Sequence, residues 1–321
     1  MGRKRDLVEE IIAVRRRRRF DNAQAEVFVR LSDIDAAFQK RDPKSPETLK
    51  YFPIALVACI ESAFRLLIRE LIDFGSPYLD RGVGLAENLK FDYAVVQAFH
   101  GKTISIGDFI AHTVRINNIN DIQKHMTELL GKDFLVTLGN VYDRVAVEVH
   151  REAKKPILSD AQTVYRSVAR TFELRHVFCH ELASSYEFTD DEIAGCVNAA
   201  RLFINASIEL HTQTLFPNAP LCQRDMNIQA AKDLHKAEEE LEGANTELTT
   251  LLNKKRGAEY LRVHKAWIRY RNLLSEFQAN EYKGGTIWPT IYGMTAQEET
   301  QRRFAEVKKV LEEKRNFGDG A

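Results

Sequence analysis

The chain has 321 residues, with 46 Lys and Arg set against 46 Asp and Glu. That balance removes any global pull toward nucleic acid or a membrane surface, so an electrostatic footprint has to be local, and the length allows two domains with cores of their own. The four cysteines, Cys59, Cys179, Cys196 and Cys222, include no C-x-x-C pair, which argues against a disulfide frame and fits reduced thiols in a cytoplasmic protein.

The first twenty residues, MGRKRDLVEEIIAVRRRRRF, carry charge where a signal peptide has an apolar core. No run of about 18 apolar residues follows, so no membrane partner is expected. Arg15 to Arg19 form the one charge anomaly. They read first as the solvated basic end of a helix, with a grip on phosphates as the sharper alternative. Apolar residues at three- and four-residue spacing then predict amphipathic helices over 21–38 and 46–74, the second apolar enough to be central.

The glycines and proline of GSPYLDRGVGLAENLKFDYAV predict a loop, and shorter helices are expected around 105–115, 118–130 and 133–152. After the break KKPILSDAQ, Ser159 or Asp160 caps a helix that runs into TFELRHVFCHELASSYEF, residues 171–188. Thr189 and Glu192 have capping-box spacing at the head of an apolar helix over 190–215, which FPNAP closes. Past residue 218 the composition shifts to long polar helices with narrow apolar stripes, 222–255 and 258–282. KGGTIWPTIYG then reads as a turn before a last helix over 295–315. No strand-like alternation appears, so the expected fold is all-α: an N-terminal helical bundle followed by a C-terminal helical hairpin or bundle. The expected domains are a basic segment 1–20, then 21–217 and 218–321.

The candidate site lies in RHVFCH. Arg175 and His180 form R-x4-H, a pattern that recurs by chance, and looser spacings admit Arg144/His150 and Arg170/His176. Context favours Arg175 and His180: they end a capped helix, a long apolar helix follows, and the apolar helix containing Glu61 precedes. Histidine moves protons near neutrality, and arginine offers a permanent cation with a fork of donors. Together they can cleave RNA through its own 2′-hydroxyl with no metal, cofactor or nucleophilic side chain. Five residues turn a regular helix by about 140°, so the pair shares a face only if the helix end unwinds or two chains meet. His176 and His180, at i and i+4, have the spacing of a zinc pair with Cys179 and Glu181 adjacent, but no third ligand can be named. A polar edge of a structural helix is the remaining alternative.

These residues resemble the HEPN superfamily, helical bundles with R-φ-x-x-x-H near the junction of the last two helices and commonly Asn, Asp or His after the arginine. The resemblance covers roughly residues 20–217. It implies a metal-independent endoribonuclease with Arg175 and His180 catalytic and His176 beside them, a composite site at the two-fold axis of a homodimer, and a setting as a toxin or phage-defence effector. Leu182 stands where one toxin branch carries a tyrosine. A non-catalytic HEPN-like module that binds RNA or protein is the alternative.

Residues 222–315 look like the lysozyme-inhibitor LprI-like family. The shared marks are Met226-Asn227, the Ala237/Leu241 stripe, AWIRYR (Ala266 to Arg271), GGTIWP (Gly284 to Pro289) and a helix opening at Thr295. Trp267 and Tyr270 are expected to pack between helices, and Gly284-Gly285 with Pro289 to fold the last helix back. Family members are usually exported and carry cysteines near the G-G turn, whereas no cysteine follows Cys222 here. The expectation is a retained fold that binds a protein partner or inhibitor, or positions RNA, with lysozyme inhibition as the weaker alternative. Arg262, Lys265, Arg269, Arg271, Arg302 and Arg303 are either solvated helix faces or phosphate contacts.

Overall fold

A computed structural model describes residues 7–19, 23–42, 46–87, 89, 93–101, 103–181 and 186–317, and Leu182 lies outside them. Among the described residues every regular element is a helix, with one isolated antiparallel bridge between Tyr142 and Pro156. The chain divides into two compact units, Met1–Val147 with Arg151–Asn218, and Glu148–His150 with Ala219–Ala321.

The first unit is built on α3 (Pro46–Phe74), after α1 (Leu7–Arg16) and α2 (Ala23–Gln39). Phe52, Leu56, Ile60, Phe64, Leu67 and Leu71 of α3 are buried at three- and four-residue spacing, and Val27, Leu31, Ile34 and Phe38 of α2 pack onto them. Phe38 meets Phe52 edge to face at 5.1 Å. The segment expected as a loop instead winds into α4 (Tyr78–Arg81), α5 (Val83–Ala86) and α6 (Tyr93–His100). One reason is tertiary: Arg81 donates to the carbonyls of Leu129 and Leu130, which pins the segment down. Helices α7 (Ile106–Thr113) and α8 (Ile119–Leu130) fall close to expectation.

The helix expected over 133–152 is a correction. Only α9 (Phe134–Leu138) and a single π-turn over Val145–Val149 form. Between them the chain turns at Gly139-Asn140 so that Tyr142 can bridge Pro156 and Arg144 can go inside, 5% exposed. The Nε of Arg144 pairs with Glu209 at 2.9 Å, and its Nη1 donates to the carbonyls of Phe216 and Pro217, both at 3.1 Å. Those acceptors follow the end of α11 (Asp190–Leu215), where carbonyls lack helical partners.

Helix α10 (Ala161–His180) is capped by Asp160, which accepts from the Thr163 amide at 3.0 Å. Thr189 accepts from the Glu192 amide at 3.1 Å, but the Glu192 carboxylate turns to Arg170, so the capping box is half-formed. By length and composition alone α3 and α11 could each cross a membrane. In this unit they pack against each other, with Phe203 on Phe64 at 5.4 Å.

The second unit is a three-helix bundle of α12 (Gln223–Leu251), α13 (Lys254–Ala279) and α14 (Trp288–Phe317). Gln223 meets Thr290 near the start of α12 and α14, and Glu247 meets Arg315 near their ends, so these two run parallel. Asn245 pairs with Tyr260 and Glu238 with Arg271, so α13 runs in the opposite sense, packed mainly against α14. Helix α14 opens at Trp288, seven residues before the expected Thr295. Pro289 lies in its first turn, where an amide would have no helical acceptor, and so starts the helix instead of turning the chain.

Candidate functional site

Val164, Val168, Phe172 and Leu174 bury one face of α10 before the sequence turns polar at Arg175. The helix stays regular through His180 and closes with the Glu181 amide on the Val177 carbonyl at 3.0 Å. Unwinding is therefore ruled out as the way to bring Arg175 and His180 onto one face; they remain about 140° apart. Arg175 is half-buried, while His176 and His180 are exposed, their rings 5.2 Å apart. On another side of the helix, Phe178 packs edge to face against Tyr186 at 6.1 Å and Phe188 at 5.1 Å, so the returning chain covers that side.

The arginine candidates separate by what holds them. Arg144 is consumed in closing α11. Arg170 pairs with Glu192 at 2.7 Å and Glu173 at 3.1 Å, hydrogen bonds that raise its pKa further. Arg175 makes no ion pair among the described residues. Its charge is felt by Glu61 on α3, whose carboxyl is pushed up by burial and drawn down by Arg65 and Arg175. Sequence reasoning named Glu61 only as a mark of its helix and gave it no role beside Arg175. Its signal was a single carboxylate inside the apolar run ALVACIESAFRLLI. The zinc alternative gains no third ligand, since no group of three His, Cys, Asp or Glu side chains converges among the described residues.

In the second unit the family-like residues are structural. Trp267 is half-buried against the Leu241/Leu248 cluster and stacks on His264 at 5.7 Å, which in turn stacks on Tyr260 at 6.5 Å. Burial lowers the His264 pKa. Tyr270, expected beside Trp267 in the packing, is exposed; three residues on, the helix has turned its side chain away from the narrow seam. Arg271, considered as a phosphate contact, is 8% exposed and held between Glu238 at 2.8 Å and Thr300 at 3.1 Å. Arg302 and Arg303 pair with Glu298, Glu299 and Glu306 on their own helix, whereas Arg262, Lys265 and Arg269 are exposed.

Asn227 ties the start of α12 to the glycine turn. Its Nδ2 donates to the Thr286 carbonyl at 3.1 Å, and its Oδ1 accepts from Thr290 at 2.6 Å. Gly284 takes φ +85°, and Gly293 lets α14 approach Ala230 so closely that an added Cβ would sit 3.1 Å from the alanine methyl. These positions account for the Asn227 of M-N by its side-chain hydrogen bonds, and for G-G and the small residues by backbone geometry and close packing. No curated protein and no solved structure matches the chain. Residues 219–307 match the family model described as lysozyme inhibitor LprI, so this part of the second unit is LprI-like in sequence as well as in the logic of its turn.

Proposed function

We propose that the first unit is a metal-independent endoribonuclease of HEPN type, working as a cytoplasmic homodimer in a toxin or phage-defence role, and that the LprI-like unit binds a protein partner or positions RNA. The observation that carries this reading is that Arg175, alone among the arginine candidates, is left without an ion pair, beside two open histidines at the end of a regular helix. Four free cysteines suit a reducing compartment.

In the proposed reaction His180 takes the proton of a 2′-hydroxyl, and the freed oxygen attacks the adjacent phosphorus. The bond to the 5′-oxygen breaks, a 2′,3′-cyclic phosphate forms, and the leaving oxygen takes its proton from a second, protonated histidine of the cluster, His176. Arg175 offsets the charge that builds on the pentavalent phosphorus. Because Arg175 and His180 face apart on one chain, a two-fold axis that sets Arg175 of one chain opposite His180 of the other supplies the composite site.

Single-stranded RNA incubated with the protein in excess chelator tests this. Cleavage should persist, and Arg175→Ala or His180→Ala should each reduce it by roughly 10²–10⁴. Loss of cleavage in chelator, or full activity in both variants, would refute the assignment. The match over residues 219–307 favours a second reading for the second unit, lysozyme inhibition. Titrating the full-length protein against lysozyme checks it: stoichiometric inhibition would carry that reading, and unchanged lysozyme activity would remove it.

A further inference from the structure

Helix α13 turns Gly257, Arg271, Ser275 and Ala279 into its own bundle, where they are buried. Roughly 150° around the helix runs a second line of apolar residues, Val263, Ala266, Tyr270, Leu273 and Phe277. All five are exposed, the large ones from 54% at Tyr270 to 74% at Phe277. Their spacing of three, four, three and four residues is the seam repeat by which two helices meet along a narrow stripe. A helix face that only meets water has no use for that repeat, and an apolar line holding two aromatic rings marks a surface that something covers.

The seam fits a second copy of itself running in the opposite direction. In antiparallel register Phe277 of one copy lies over Ala266 of the other and Tyr270 lies over Leu273, so a larger side chain meets a smaller one in each of these layers. The flanks agree with that register. It sets Arg269 against Glu276 of the second copy, twice by symmetry, and both residues are exposed and make no ion pair among the described residues. On the other flank half-buried Trp267 meets half-buried Leu274. A parallel register stacks Ala266 on Ala266 and Phe277 on Phe277, and brings no carboxylate to Arg269. The aromatic rings of the pair, with Leu273, Val263 and the two ion pairs, amount to roughly 1,000 Å² of covered surface in total, the lower end for a specific interface, which suits a dimer forming at micromolar concentration.

We propose that the LprI-like unit binds a second copy of the same chain through antiparallel pairing of α13 along Val263, Ala266, Tyr270, Leu273 and Phe277. The pairing makes the chain itself the protein partner read for this unit and uses no part of the ribonuclease reading, so RNA cleavage and the pairing fail separately.

Disulfide cross-linking of the full chain, with Cys179 and Cys222 replaced by serine, tests it. A chain carrying Ala266→Cys, mixed at micromolar concentration with a differently tagged chain carrying Phe277→Cys, should join it on mild oxidation. The yield should exceed by about tenfold or more that obtained when the second chain carries its cysteine at the exposed Lys308 of α14. Ala266→Cys alone should not pair with itself, since in this register the two copies of residue 266 stand roughly 16 Å apart. Arg269→Glu in both chains, or Glu276→Arg in both, should lower the yield about fivefold or more by setting like charges together, and one change in each chain should restore it. Circular dichroism confirms that these surface variants keep their fold. The proposal is overturned if the yield matches the Lys308→Cys control, if Ala266→Cys pairs with itself as readily, or if the charge changes leave the yield untouched. It is equally overturned if no cross-link forms while Phe277→Asp abolishes inhibition of lysozyme, which would give the stripe to a foreign protein.

Discussion

His211 sits on α11 with 3% of its surface exposed and its Nε2 3.6 Å from a Glu70 oxygen, beyond hydrogen-bond reach. That carboxylate is engaged by Arg69 and Gln24, both at 3.2 Å, so it does little to draw a proton onto the imidazole. Burial prevails and pushes the His211 pKa down from 6.5 to about 4. An imidazole whose folded pKa lies below its unfolded one favours the fold in its deprotonated, neutral form. Its contribution is therefore complete above pH 6.5 and is lost as the pH falls from 6.5 through 4. The whole span amounts to about 3 kcal/mol. Urea unfolding of wild type and His211→Leu at pH 7 and pH 4.5 should show the wild type losing about 2 kcal/mol more than the variant on acidification; equal losses would contradict the burial argument. At this scale the sequence named Arg175 and its histidines but could not show which arginine was free. Arg144, Arg170 and Arg175 look alike in one dimension, and only the carboxylates of Glu209, Glu173 and Glu192 separate them, of which Glu209 and Glu192 are distant in sequence from the arginines they hold.

Two glycines in the second unit make opposite demands on their elements. Gly243 lies inside α12 with nothing within 4 Å of where a Cβ would go, while Gly284 holds the turn before α14 at φ +85°. Gly243→Ala should stabilise the bundle by roughly 0.5–1 kcal/mol through helix propensity, and Gly284→Ala should destabilise it by roughly 1 kcal/mol through left-handed strain. Thermal denaturation of both variants checks the pair, and shifts of the same sign would be inconsistent with it. The helices legible in the sequence are those whose signals are local: Asp160 and Thr189 announce α10 and α11 beside clear apolar spacing. The element over 133–152 was illegible because its break serves the burial of Arg144, a tertiary demand that no local pattern carries. The start of α14 was misread because Pro289 signals a stop in a helix interior and a start in a first turn.

For the whole molecule, the boundary at Asn218 is set by more than composition. Arg144 reaches both the Phe216 and Pro217 carbonyls, so a chain cut after Phe216 leaves a buried guanidinium one acceptor short. Residues 1–218 should unfold cooperatively and be more stable than residues 1–216 by roughly 1–2 kcal/mol in urea. Equal stability would show that the Pro217 contact is dispensable, and failure of 1–218 to fold would show that the first unit is not autonomous. The second unit carries a mechanical consequence of its own. Since α12 and α14 run parallel, a chain entering at residue 219 and leaving at residue 317 does so at opposite ends of a seam roughly 40 Å long. Tension applied between those two points loads the seam in shear, so Ala230, Ala237, Leu241 and Leu248 must slide past α14 together instead of parting one turn at a time.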